Sequence, residues 1–288
     1  MSGVELGLRA RATLGEGPVW EPVSGRLVWV DILASRVHWY DPASGRDSVM
    51  ATEQHIGAAL PRQTGGLVVN LRDGVGLYDA DGAFRWLHRD AVPGRRANDA
   101  AVDASGHLWA GTMRYDEAPG GGTLRRAAPD GTVTAVLDDV TVSNGTDWSP
   151  DGSAMYYVDS PTRRIDVFDV DVAGSGLVSG RRPFAEVEDG AGFPDGLTVD
   201  ADGCVWVALW DGGAVRRYTP QGKLDLVVEV PVRRPTACAF GGPGLTDLYI
   251  TTATVGLDAA ALAGQPLAGS VLVLPGASQG LPAVPFAG

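Results

Sequence analysis

Basic surface is missing from this chain. The formal net charge is −12 over 288 residues, which argues against nucleic acid and anionic membranes as partners, since both need clustered Lys and Arg. Cysteine is nearly absent. The two present, Cys204 and Cys238, lie in apolar strand-like runs and read as buried free thiols of a reducing cytoplasm. The four histidines, His38, His55, His88 and His107, have no ligand spacing, which disfavours zinc-protease chemistry. There is no glycine-rich phosphate loop. No apolar run is long enough to span a bilayer, and "MSGVELGLRARATLGEG" lacks the apolar core of a signal peptide. Cytoplasmic residence is therefore expected. Long helical periodicity is also missing, with "GLDAAALAG" at 256–264 offering one or two turns at most.

What remains is strand and turn. Forty glycines and nineteen prolines are spread along the chain at turn-like places. Strand-like runs rich in β-branched and aromatic residues begin at Leu27, Leu67, Leu108, Met155, Val205 and Leu248. Successive starts are 40, 41, 47, 50 and 43 residues apart. Turn signals precede most of them, as in "PVSGR", "DASGH", "SPDGS" and "DADGC", and the PDG and DG pairs read as turns. Six units with room for four strands each predict an all-β, six-bladed propeller, with one domain over 1–288. The last unit lacks a complete fourth strand. "ELGLRARA" lies outside the first unit, so it is expected to close the ring by pairing with the C-terminal strands and to remove an exposed edge.

An oxygen-bearing side chain recurs in phase. Asp195, Asn144 and Asn98 each lie eight residues before a turn glycine, and Glu16 lies nine before Gly25. The equivalent positions in the other two units are Gly57 and Thr236. This is the start of the innermost strand of each blade, so these side chains should converge near the axis at one mouth of the channel. Asn and Asp also favour such turns for their own sake. Four in phase, with Glu among them, point instead to a metal site. Two dehydrated carboxylates would repel or titrate abnormally without a balancing cation, and an oxygen-only donor set suits Ca²⁺, Mg²⁺ or Mn²⁺.

The stretches "LGEGPVW" (14–20), "RANDAAVDASGHLWAGTM" (96–113), "SNGTDWSPDG" (143–152), "YYVDS" (156–160), "PDGLTVDADGCVWVALWDGGAVRRY" (194–218) and "CAFGGPGLTDLYITTA" (238–253) resemble the regucalcin/gluconolactonase/luciferin-regenerating-enzyme family of six-bladed propellers over nearly the whole chain. The resemblance implies one divalent cation on Glu16, Asn144 and Asp195, Ca²⁺ foremost, with Mg²⁺, Mn²⁺, Zn²⁺ or Fe²⁺ as alternatives. It implies Asp195 as general base, with Arg96 and Asn98 facing the substrate. An acid close to "GTMRYDEAPGGG" would contact substrate hydroxyls, with Asp116 the positional match and Glu117 beside it. The activity implied is opening of a sugar lactone such as gluconolactone, the cation polarising the carbonyl. The alternatives are a calcium-binding regulatory propeller without turnover, or a related metal-dependent esterase or phosphotriesterase. A monomer or weak oligomer is expected, with a small-molecule lactone as its partner.

Overall fold

The computed structural model describes residues 3–288 and consists of six four-stranded antiparallel sheets arranged as the blades of a propeller. Their innermost strands are Gly15–Glu21, Ile56–Pro61, Arg95–Val102, Ser143–Trp148, Phe193–Val199 and Pro235–Gly241. Consecutive inner strands pack side by side all the way round, blade 6 against blade 1. The six periodic runs form the second strands, Arg26–Asp31, Leu67–Leu71, Leu108–Arg114, Ala154–Asp159, Val205–Trp210 and Asp247–Thr252. Each is buried along most of its length because neighbouring blades cover both faces. The ring closes as the sequence predicts. Glu5–Leu8 pairs antiparallel with Val271–Leu274 and becomes the outermost strand of blade 6.

Recurring acids hold the blades. Asp103 and Asp200 sit at the start of the turn between first and second strands. Each carboxylate accepts from an indole, Trp109 Nε1 at 2.8 Å and Trp206 Nε1 at 3.0 Å, and pairs with Arg126 or Arg217. The turn glycines that follow, Gly106 and Gly203, have φ of 78° and 79°, as a left-handed turn position requires. "PDG" at 194–196 differs from that expectation. It is part of an inner strand, and a Cβ on Gly196 would lie 2.3 Å from Cβ of Ala237, so this glycine permits close approach of blades 5 and 6. Cys204 and Cys238 are buried free thiols. The short α-helix Ala259–Gly264 is capped by Asp258, whose side chain accepts from Ala261 N at 2.8 Å. Among the described residues no helix is long and apolar enough to cross a membrane.

After the last blade the chain crosses the far end of the propeller. Gly280 bridges to Asp200 in blade 5, and buried Phe286 exchanges backbone hydrogen bonds with blade 2. Ala287 N then donates to Gly106 O of blade 3, and Arg62 Nε donates to Gly288 O at 2.6 Å. This strap borders a cavity of about 360 Å³ at that end of the channel, into which Asp99 and Asp147 face.

Candidate active site at the open mouth of the channel

Every inner strand breaks register with its neighbour near its start, between Ala97 and Ala100, Ser143 and Thr146, Pro194 and Leu197, and at counterparts in the other three blades. A bulge of this kind re-aims a side chain that regular pleating would turn into the blade. Asn98, Asn144 and Asp195 lie inside these breaks and Glu16 at the edge of one, so all four face one cavity of about 400 Å³ at the channel mouth. The chain entering two of these strands is clamped by the last acid of the second strand. Asp31 accepts from Thr13 N and Leu14 N at 2.8 and 3.0 Å, and Asp159 from Thr141 N and Val142 N at 3.1 and 2.8 Å. The "VD" ending those runs thus fixes the backbone next to Glu16 and Asn144.

Glu16, Asn144, Asp195, Arg96 and Asn98 are all buried and come together. A chain of hydrogen bonds orients the amides. Arg96 Nη1 donates to Ala97 O at 2.8 Å and to Asn98 Oδ1 at 2.6 Å. Asn98 Nδ2 donates to Ser143 O and to Asn144 Oδ1, both at 2.9 Å. Asn144 Nδ2 donates to Ser160 Oγ at 2.8 Å, and that hydroxyl donates to Pro194 O at 2.7 Å. Asn98 therefore commits both amide hydrogens within the protein, and its main structural effect is to fix Asn144. Ser160, the last residue of "YYVDS", was not among the residues singled out from sequence. Nothing about a lone serine after a strand distinguishes it.

The electrostatics of the pair are unusual. Burial pushes both the Glu16 and the Asp195 carboxyls well above the ordinary range, the charge of Asp195 adding to the rise at Glu16 and that of Asp99 to both. Glu16 Oε2 and Asp195 Oδ1 are buried with no hydrogen-bond partner. Orphaned buried carboxylate oxygens beside an oriented amide oxygen fit a hard divalent cation by donor chemistry. Among the described residues no three His, Cys, Asp or Glu side chains gather as a metal cluster. The candidate set here is two carboxylates and an amide.

Asp116 lies elsewhere. Its carboxylate forms a bidentate pair with Arg114, both contacts at 2.7 Å, which draws its pKa down to about 2, and it is exposed. Glu117, held at φ 53°, borders the cavity instead, with Tyr115, whose hydroxyl lies 2.7 Å from His55 Nδ1. A one-residue shift in a loop with a left-handed residue decides which acid points inward, and no periodicity marks it.

The fold and this site define a six-bladed propeller with a carboxylate–amide oxygen cluster at one mouth of its channel. Residues 14–254 match the SMP-30/Gluconolactonase/LRE-like region, and the chain belongs to that family. It is 37% identical to regucalcin of Danio rerio, over 99% of this chain and 98% of that one. It is 36% identical to the putative sugar lactone lactonase YvrE of Bacillus subtilis, over 96% of each. Among solved structures, a calcium-binding regucalcin from Agrobacterium tumefaciens superposes with a TM-score of 0.93 at 32% identity, covering 98% of this chain and 96% of that one. A luciferin-regenerating enzyme superposes at 0.92 with 29% identity and 99% coverage of each. Relatives bearing lactonase and gluconolactonase names support an enzyme of the lactonase type.

Proposed function

We propose that this protein is a divalent-cation-dependent lactonase that opens an aldonolactone such as gluconolactone to its hydroxy acid. The observation that carries this reading is the pair of buried carboxylate oxygens without partners, Glu16 Oε2 and Asp195 Oδ1, facing one cavity with Asn144. Glu16, Asn144 and Asp195 would hold the cation. When bound, it supplies Lewis-acid polarisation of an acyl oxygen and balances the two carboxylates.

The chain's own residues do the rest. Asp195, its pKa raised by burial, takes a proton from the water that adds to the acyl carbon. As the ring C–O bond breaks, that proton passes to the departing ring oxygen, so the product is a hydroxy acid. Arg96 commits only Nη1 to protein acceptors. Its remaining N–H groups serve substrate oxygen, and Glu117 at the rim accepts from substrate hydroxyls. A buried guanidinium with free donors on the cavity favours an enzyme over an ion store, which has no need of it.

A pH-stat screen of sugar lactones tests the proposal, run on chelated protein and again with each divalent cation restored. Cation-dependent acid release is expected. Tight calcium binding with no acid released from any lactone would favour a calcium-binding propeller without turnover, in keeping with the name of the regucalcin relatives.

A further inference from the structure

The cavity holding Glu16, Asn144 and Asp195 has two unlike walls. Blade 3 supplies hydrogen-bonding groups from Arg96, Tyr115 and Glu117, with Met113 beside them. Across the axis, blades 5, 6 and 1 supply Phe193, Trp210, Val255, Leu14 and Leu33, together with Arg234, whose guanidinium is already committed to Asp211 and to the Val255 carbonyl. In a ring of six blades, blade 6 stands opposite blade 3. A substrate with its oxygens toward blade 3 therefore has its far end against this apolar wall.

Two arginines brace that wall, Arg163 from outside the cavity and Arg234 at its border. Phe193 and Trp210 are direct cross-strand partners, so both side chains leave the same face of the blade 5 sheet. The Arg163 guanidinium lies 4.1 Å from the Phe193 ring centre, and that of Arg234 lies 4.7 Å from the Trp210 ring centre. Arg163 is itself tied to Gly192 O at 2.9 Å, while Arg234 pairs with Asp211 at 2.7 Å and bonds the Val255 carbonyl. Leu33, Trp210 and Val255 are half-buried and pack on the core cluster that includes Leu14. Five ordered apolar side chains thus border the cavity, and none of their side chains offers a hydrogen bond to a sugar hydroxyl beyond the indole N–H of Trp210. Hydroxyls buried there would lose water without replacement, whereas an alkyl or aryl group would gain from the same surface.

We propose that the wall formed by blades 5, 6 and 1 is a subsite for an apolar substituent, and that the protein also opens lactones carrying an alkyl or aryl group on the ring carbon next to the ring oxygen. The binding claim stands on the wall itself; the added activity rests on the lactonase reading. Water adds to the acyl carbon, the acyl C–O bond of the ring breaks, and the ring oxygen takes the proton. The product is an alkyl- or aryl-substituted hydroxy acid.

Two series of compounds test this, both with calcium at saturation. Kd is measured by calorimetry for 3-alkylcyclohexanones of increasing chain length, which carry the alkyl group at the same ring distance from the carbonyl as the δ-alkyl lactones but cannot be hydrolysed. In the wild type Kd should fall by about two- to fourfold per methylene over the first few carbons. In Trp210→Ala, and independently in Leu33→Ser, that dependence should shrink, with the melting temperature checked for each. Values that stay flat along the series in the wild type, or a slope unchanged in both folded variants, would overturn the subsite. In parallel, kcat/KM is measured for δ-valerolactone and its δ-alkyl homologues, and should rise with chain length by a similar factor. Flat kcat/KM with falling Kd would overturn the added activity alone. If no lactone turned over while Kd still fell, the lactonase reading would be lost and the subsite retained.

Discussion

Four residues that border the same cavity are proposed to have different jobs, and single substitutions separate them. Asp195 has an unpartnered buried oxygen and a raised pKa, so it is assigned both cation binding and proton transfer. Asp195→Asn keeps one neutral oxygen donor but removes the base. At saturating cation, with occupancy verified by elemental analysis, kcat should fall by about 10²–10⁴-fold. Asn144→Ala removes a ligand and no base, so excess cation should recover part of its activity. A near wild-type rate in fully loaded Asp195→Asn would leave Asp195 as a ligand only. Asn98 acts one step further out. Because Asn98 Nδ2 holds Asn144 Oδ1, Asn98→Ala should weaken cation affinity by about 10–100-fold, the usual range for groups that orient a ligand. Arg96→Ala should instead lower kcat/KM with cation content close to wild type, since a guanidinium cannot be a cation ligand. Isothermal titration with the cation and steady-state kinetics distinguish the two, and equal loss of cation and activity in Arg96→Ala would make that arginine structural.

At the level of elements, the propeller depends on one strand that is distant in sequence from its partner. Glu5–Leu8 covers the edge of Val271–Leu274, and Tyr40 of blade 1 donates its hydroxyl to Gly7 O at 2.9 Å. Removing residues 1–12 would leave that edge of blade 6 unpaired and withdraw the buried Ala12 from its core cluster. The truncated protein should show markedly lower soluble yield and a lower melting temperature. Unchanged melting and activity would mean that blade 6 closes without it. The inner strands were harder to read than these outer contacts. Their phase was visible as an eight-residue offset from the turn glycines, but the register breaks were not. Residues inside a bulge, such as Asn144–Gly145 or Asp195–Gly196, look in sequence like an ordinary turn.

For the whole molecule, the central channel carries an excess of acid at both ends, which makes stability depend on pH. Besides Glu16 and Asp195, dehydration in the channel pushes Asp99 up to about 7 and Asp147 up to about 6. In the unfolded chain such groups titrate at about 4. Below that value both states are protonated. As pH rises toward 7 the unfolded chain releases protons first, so stability falls across this window and levels off above it. Cation-free protein should therefore melt several degrees higher at pH 5 than at pH 8. Added calcium should narrow the gap, because it favours the ionised carboxylates. Asp99→Asn should flatten the dependence by removing the most raised of the two far-end acids. Calorimetric melting between pH 5 and 8 measures all three effects. The acids with lowered pKa, such as Asp151 and Glu188, respond only at lower pH and leave this window clear. A melting temperature that rises from pH 5 to pH 8 in the absence of cation would contradict the assignment.

Blade number was legible in the sequence because it follows from a local signal repeated at a steady interval, and the closing strand because the last unit falls one strand short of that repeat. A second strand covered on both faces must be apolar throughout, and a tight turn needs glycine at a left-handed position; both rules act over a few residues. Glu16, Asn144 and Asp195 could be aligned for the same reason. The tertiary structure decided what depends on convergence of distant segments. It turned Glu117 rather than Asp116 toward the cavity and locked Asn98 onto Asn144. It also brought Phe193 and Trp210 to the border of that cavity, and carried the C-terminal strap across the far mouth. These outcomes are set by side chains from different blades meeting at the axis, where packing and hydrogen bonding select one arrangement from several that the local sequence allows equally well.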